Sequence, residues 1–194
     1  MKIFTSIWMC IGILSLSLFL KVYNVSYVEQ IRLMGFDAKI QSIPEQQSDQ
    51  IVLLNIGEKS LEKYGQWPFP RQTFAQMISD LRTANAGIIG VTVMYPEADR
   101  FGGDEIFTSW VKDNGVVLSQ VPSSKGRSNI APYIGTAVLG EGDPYNYAYK
   151  YNSLVSNITS LEEAAAGVGM VNSAIEVDNL VRRMPLITQV NGQL

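Results

Sequence analysis

The sequence predicts an α/β fold: an N-terminal membrane helix, then a three-layer-like domain whose mixed, mainly parallel sheet is followed by an antiparallel C-terminal hairpin. Three observations predict it. Residues 3–20 are an uncharged apolar run. Three short runs of β-formers alternate with two amphipathic helical patterns, an order that builds parallel strands joined by right-handed crossovers. Two later apolar runs flank Asp178-Asn179, a pair suited to a tight turn.

The run "IFTSIWMCIGILSLSLFL", Ile3 to Leu20, is long enough to cross a hydrocarbon core at about 1.5 Å per residue. We read residues 1–21 as an uncleaved membrane anchor and residues 22–194 as the domain it carries. A cleaved signal peptide is the competing reading; a single lysine before the run, no A-x-A-like site after it and an over-long apolar core argue against it. Charge bias does not orient the anchor, because Lys2 and the amino terminus oppose Lys21 and Arg32.

Helical spacing of Tyr27, Val28, Ile31 and Met34 predicts a helix through "VSYVEQIRLMGFDAKIQ", ended by Pro44. "IVLLNI", Ile51 to Ile56, has the continuous apolar character of a strand buried on both faces. "GQWPFPR", residues 65–71, then forms a stiff corner, its prolines fixing φ and removing two donors. Phe74, Met77, Ile78 and Leu81 mark one face of a helix that stops near Asn85–Gly87, and "GIIGVTV" is the second strand. Asp104 is placed as the cap of another helix carrying Phe107, Trp110 and Val111, with "VVLSQV" as the third strand. Residues 122–157 read as a long excursion with little periodicity beyond "TAVL". Ser160 and Glu163 fit a capping box and Gly167 a helix stop; "VGMVNSA" and "VRRMPLITQV" supply the hairpin. Asn191-Gly192 is a strong hairpin signal with only two residues after it, so the chain is expected to be truncated before a last strand.

Composition narrows the chemistry. With 194 residues, 46% apolar content and a net charge of -3, the chain suits one sizeable core. Its fifteen Lys and Arg form no stripe, so nucleic acid is not an expected partner. It contains no histidine, which excludes a Ser-His-Asp triad and an HExxH zinc site, and Cys10 is the only cysteine. No catalytic residue, metal site or cofactor is expected. "DRFGGDEIF", Asp99 to Phe107, resembles the diguanylate cyclase signature, but no upstream metal-binding aspartate or nucleotide-binding segment accompanies it.

"RLMGFDAKIQ", "IVLLNIGEKSLEKYGQWPFPR", "ISDLRTANAGIIGVTVMYPE" and "GMVNSAIEVDNLVRRMPL" together resemble the CHASE domain of the second type, the extracellular sensory module named for cyclases and histidine kinases. The resemblance runs from about Met34 to the end. It implies an extracytoplasmic sensor on the periplasmic side of the inner membrane, followed by further membrane helices and a cytoplasmic adenylate or guanylate cyclase or kinase. Gly57 and Thr92 stand where the family pattern usually has aspartates, and Asn179 where it has a glycine. The two lost carboxylates remove cation or ligand roles that those positions would carry.

Trp67, Arg71, Glu97, Asp104 and Arg182 are the candidate ligand-binding residues, because rigid aromatics and a guanidinium fork suit a small anionic ligand. Each has an architectural alternative: Trp67 plugging the sheet edge, Arg71 supporting the turn. Arg182 and its neighbour Arg183 point to opposite faces of a strand, so at most one enters a given pocket. Alternating Tyr145, Tyr147, Tyr149 and Tyr151 form either an aromatic platform or a packed edge strand. Expected partners are the membrane, an unknown small-molecule ligand and, as an open option, a second copy. The alternative to a sensor is a periplasmic binding or structural domain with no output enzyme.

Overall fold

The computed structural model describes residues 7–23, 26–123 and 143–192. The chain forms two compact units, Met1–Leu53 with Ile175–Arg182, and Leu54–Ala174 with Arg183–Leu194.

In the first unit, α1 spans Ile7–Val22 and buries no residue. Among the described residues no single helix is long and apolar enough to cross a membrane. Helix α2, Ser26–Gln41, follows the expected periodicity, buries Leu33 and carries a Glu29–Arg32 ion pair on its surface.

A departure from expectation falls where the chain passes from the first unit to the second. Ile51–Ile56 is no strand, and Ile51, Val52 and Leu53 are 77%, 80% and 91% exposed. Apolar β-formers make a segment able to join a ladder, but pairing makes it a strand, and among the described residues no strand pairs with this run. Helix α3, Glu58–Tyr64, follows instead, started by Gly57 and stopped by Gly65, whose φ of 94° suits glycine and whose N–H reaches Leu61 O at 2.9 Å. The corner comes next, with a cis Trp67–Pro68 peptide. Helix α4, Arg71–Thr83, buries Phe74, Ala75 and Ile78 and gives way to Asn85 at φ 66°.

Strand β1, Ile89–Val91, leads through a loop to α5, Asp104–Val111, and then to β2, Val116–Ser123. β2 is the sheet's axis. β1 runs parallel to it with Ile89 opposite Val116, as does β5, Gly167–Met170, with Leu118 opposite Val168. β4, Ser153–Val155, pairs antiparallel with the end of β2. "TAVL" lies outside the described residues. β3, Tyr149–Tyr151, takes two of the alternating tyrosines and pairs in parallel with β8, Thr188–Val190. Tyr145 and Tyr147 fall in the turn before it and are exposed.

Helix α6, Thr159–Ala164, begins one residue before the expected cap, with Ile158 at its N-cap and no side-chain capping bond. The capping-box expectation for Ser160 and Glu163 is therefore corrected: Glu162 reaches back to the Asn157 N–H at 2.8 Å, and Gly167 opens β5 rather than stopping a helix. The C-terminal hairpin comprises β6, Ala174–Ile175, and β7, Val181–Arg183, which form a two-stranded sheet. Asn179 turns the chain at φ 63°, its N–H bonded to Glu176 O.

The core of the second unit lies between the β1–β2–β5 layer and helices α4, α5 and α6. Phe69, Phe74, Ile78, Tyr95, Phe107, Val111, Val116, Leu118 and Leu161 form one cluster. Phe107 is fully buried and meets Phe74 and Tyr95 at ring centroids of 6.0 and 5.0 Å. Phe107→Ala is expected to lower stability by about 3–5 kcal/mol in chemical denaturation. Ile106→Ala, at the exposed neighbouring position, is expected to change it little.

Candidate functional site

Arg71 is the first residue of α4, after Pro70, and the helix has no side-chain cap of its own. The cap comes from another element. Asp99, in the loop after β1, accepts the Arg71 backbone N–H at 3.3 Å and the Gly103 N–H at 3.1 Å through the same oxygen. One carboxylate thus serves the N-termini of α4 and α5, where helix dipoles favour negative charge. Burial pushes the Asp99 carboxyl up, but the N–H groups of Phe101, Gly103 and Arg71, with the Arg71 charge, outweigh it and hold the group below the usual carboxylate range.

The Arg71 side chain closes the junction. Its Nε donates to Asp104 Oδ1 at 3.2 Å, its Nη2 donates to the Glu97 carbonyl at 2.9 Å, and its guanidinium lies 4.2 Å from the Tyr95 ring centroid. Asp104 is the first helical residue of α5 rather than its N-cap, which is Gly103. The expected capping bond is absent because the carboxylate points back, Oδ2 accepting the Asp99 N–H at 2.7 Å. A Cβ at Gly103 would fall 2.8 Å from Arg71 Cβ and 2.7 Å from Gln72 Oε1, so glycine lets the two helix starts approach.

The structure therefore brings Arg71, Asp104 and the Glu97 backbone together and adds Asp99, which sequence reasoning had not singled out. Trp67 belongs to the adjoining aromatic wall, edge-to-face on Phe69 and Phe74 at 5.4 and 5.9 Å and 40% exposed. Tyr95 joins wall to junction, meeting Phe74 at 5.3 Å. Burial pushes its hydroxyl up against the opposing pull of Arg71, and that hydroxyl has no hydrogen-bond partner among the described residues.

Behind the junction lies a second polar cluster. Buried Glu162 accepts from Asn157 N and Nδ2 at 2.8 Å each and from Gln120 Nε2 at 2.7 Å. Asn157 Oδ1 accepts the Tyr95 N–H at 2.8 Å, and its Nδ2 donates to Ser119 O at 3.0 Å. The set ties the loop after β1 to β2 and α6. Each bond answers the desolvation cost of a buried polar group.

Arg182 belongs to the other unit. Its side chain is 6% exposed and makes a four-bond clasp: Nε and Nη2 to Asp37 at 2.6 and 2.7 Å, Nη1 and Nη2 to Asp178 at 2.8 and 2.6 Å. Arg183, as strand alternation requires, is exposed. The Arg182 hydrogen bonds hold Asp37 below its usual range and Asp178 down to about 2. Alongside lies an open cavity of about 460 Å³ lined by Phe36, Asp37, Ile40, Gln41, Leu180, Val181 and Arg182. Among the described residues no group of His, Cys, Asp and Glu is placed to hold a metal ion.

The family model of the CHASE2 domain matches residues 7–193. No curated protein and no solved structure matches the chain.

Two predictions follow from this geometry. Gly103→Ala should force α4 and α5 apart at Arg71 and cost on the order of 1–3 kcal/mol, read as a lowered thermal midpoint. The clasp should be pH-dependent: both aspartates ionise more readily folded than unfolded, so their contribution is complete above about pH 4 and is lost as pH falls towards about 2. Protection of residues 175–183 against amide exchange, taken relative to the intrinsic rate at each pH, should fall across that window. In Arg182→Ala it should be low at neutral pH, and Arg182→Lys should restore little, because an ammonium lacks the fork.

Proposed function

The chain belongs to the CHASE2 domain family, sensory domains of signalling proteins, and from that premise we propose that it is the extracytoplasmic sensor of a membrane-bound signal-transduction protein. On this reading residues 22–194 lie on the periplasmic side of the inner membrane, and a ligand or envelope signal is passed to a cytoplasmic adenylate or guanylate cyclase or kinase. The family match over nearly the whole chain carries the proposal.

The anchor is Ile3 to Leu20. An apolar helix with no buried residue among those described suits an apolar solvent, and Trp8, Leu14 and Leu18 of α1 are 77%, 69% and 63% exposed. As a helix at about 1.5 Å per residue, the uncharged run of residues 3–20 would reach about 27 Å, close to a hydrocarbon core.

Within this reading the junction of Arg71, Asp99 and Asp104, with Trp67 and the Glu97 backbone beside it, is the surface we assign to signal reception. A small anion would compete with two carboxylates for one guanidinium and two helix starts, and that competition would loosen α4 from α5. The ligand's differential affinity for the two arrangements would set the size of the response. Arg182 is assigned to the membrane-side unit, where it holds the hairpin to α2.

Topology is the direct test. Alkaline phosphatase fused after Gln189 is expected to be active, and a reporter that matures only in the cytoplasm is expected to be dark at the same position. The reverse pattern would place the domain inside the cell and end the proposal.

A further inference from the structure

We propose that the cavity between α2 and the C-terminal hairpin is a binding site for a small primary amine with an apolar body. The cavity, of about 460 Å³, lies wholly within the first unit and has the size of a small-molecule site. Its walls are apolar. Phe36 and Ile40 stand one turn apart on α2, Leu180 and Val181 come from the hairpin, and all four remain exposed.

The polar groups at the cavity have a definite sign. Arg182 is the only cation among the lining residues, yet its side chain is 6% exposed and four hydrogen bonds commit it to Asp37 and Asp178. The Asp37 side chain is 34% exposed, so the charge that the cavity presents is a carboxylate. Two carboxylates on one guanidinium also leave the clasp one negative charge in excess. The neighbouring Arg32 does not cancel it, since Arg32 is paired with Glu29 and feels a further carboxylate at Glu176.

These features select the ligand. Arg182 takes one acceptor position on each Asp37 oxygen, at 2.6 and 2.7 Å, and a carboxylate has about four such positions, so each oxygen can accept again. An ammonium group supplies the donors and the missing charge. Phe36, beside Asp37 in the lining, adds an aromatic ring of the kind that attracts cations. A neutral apolar molecule would fill the walls but strip water from the carboxylate without replacing it. An anion would have to displace an aspartate from Arg182 and would meet like charge at the other. Bound between α2 and the hairpin, the amine would add links to the clasp and so slow the opening of residues 175–183 by mass action. Neither the membrane topology nor the junction at Arg71 enters this argument.

The test uses the full chain in neutral detergent micelles with probes of one shape and different charge: phenethylamine, 2-phenylethanol and 3-phenylpropionate. Amide exchange of residues 175–183 is followed at one pH as each is titrated. Phenethylamine is expected to saturate and to raise protection several-fold, with little response to the alcohol or the carboxylate. Ile40→Trp and Leu180→Trp each put a larger side chain into the cavity and, measured against their own protection without probe, are expected to lose the response. No saturable response to phenethylamine overturns the proposal. An equal response to the alcohol shows apolar partition only and overturns it as well, and a stronger response to the carboxylate does so by assigning the cavity to an anion. A phenethylamine response that survives both tryptophan variants places the amine elsewhere and is equally decisive against it.

Discussion

Arg71 faces a requirement that the rest of the second unit is arranged to meet. Preceded by proline and lacking a side-chain cap, α4 begins with orphan backbone donors beside a guanidinium that must not be left unpaired. Asp99 answers the first need, while Asp104, the Glu97 carbonyl and the Tyr95 ring answer the second. These partners come from one loop and the helix after it, so the loop's path is set by α4's start. Tyr95 is fixed in turn by Asn157, and Asn157 by Glu162, which carries the constraint across to β2 and α6.

Periodic segments were legible in the sequence because their signals are local. The apolar spacing of Phe74, Ile78 and Leu81 and of Phe107 and Val111 gave α4 and α5, the β-formers of residues 87–93 enclose β1, and those of residues 116–121 make up most of β2. Asn179 and Asn191 take the positive φ their turns require. Ile51–Ile56 shows the limit of such signals, since composition reports that a segment can pair without supplying the partner. Helix α3 was missed although Gly57 and Gly65 bracket it, because its seven residues are too few for a periodic pattern.

The candidate site was legible only in part, for a related reason. Arg71, Glu97 and Asp104 could be named from residue type, but the identity of a cap depends on which way a carboxylate turns. Asp104 turned back to the loop and Asp99 took the capping role, a choice made by the close approach of two helices at Gly103. The Gln120–Asn157–Glu162 set had no sequence signature. Its members come from different elements, and their burial is a property of the fold.

The central strand also sets an order of assembly. β2 finds its first partner upstream, with Val116 opposite Ile89, but Leu118 and Ser119 must wait for Val168 and Gly169, and Val121 for Val155. As the chain emerges from the ribosome, β2 therefore has one edge open until the segment beyond α6 has been made. Non-local pairing of this kind is slow, and an open edge is sticky in the meantime. Synthesis from the N-terminus thus gives the growing chain a period in which α4, β1 and α5 can form while the sheet still lacks half of its ladder.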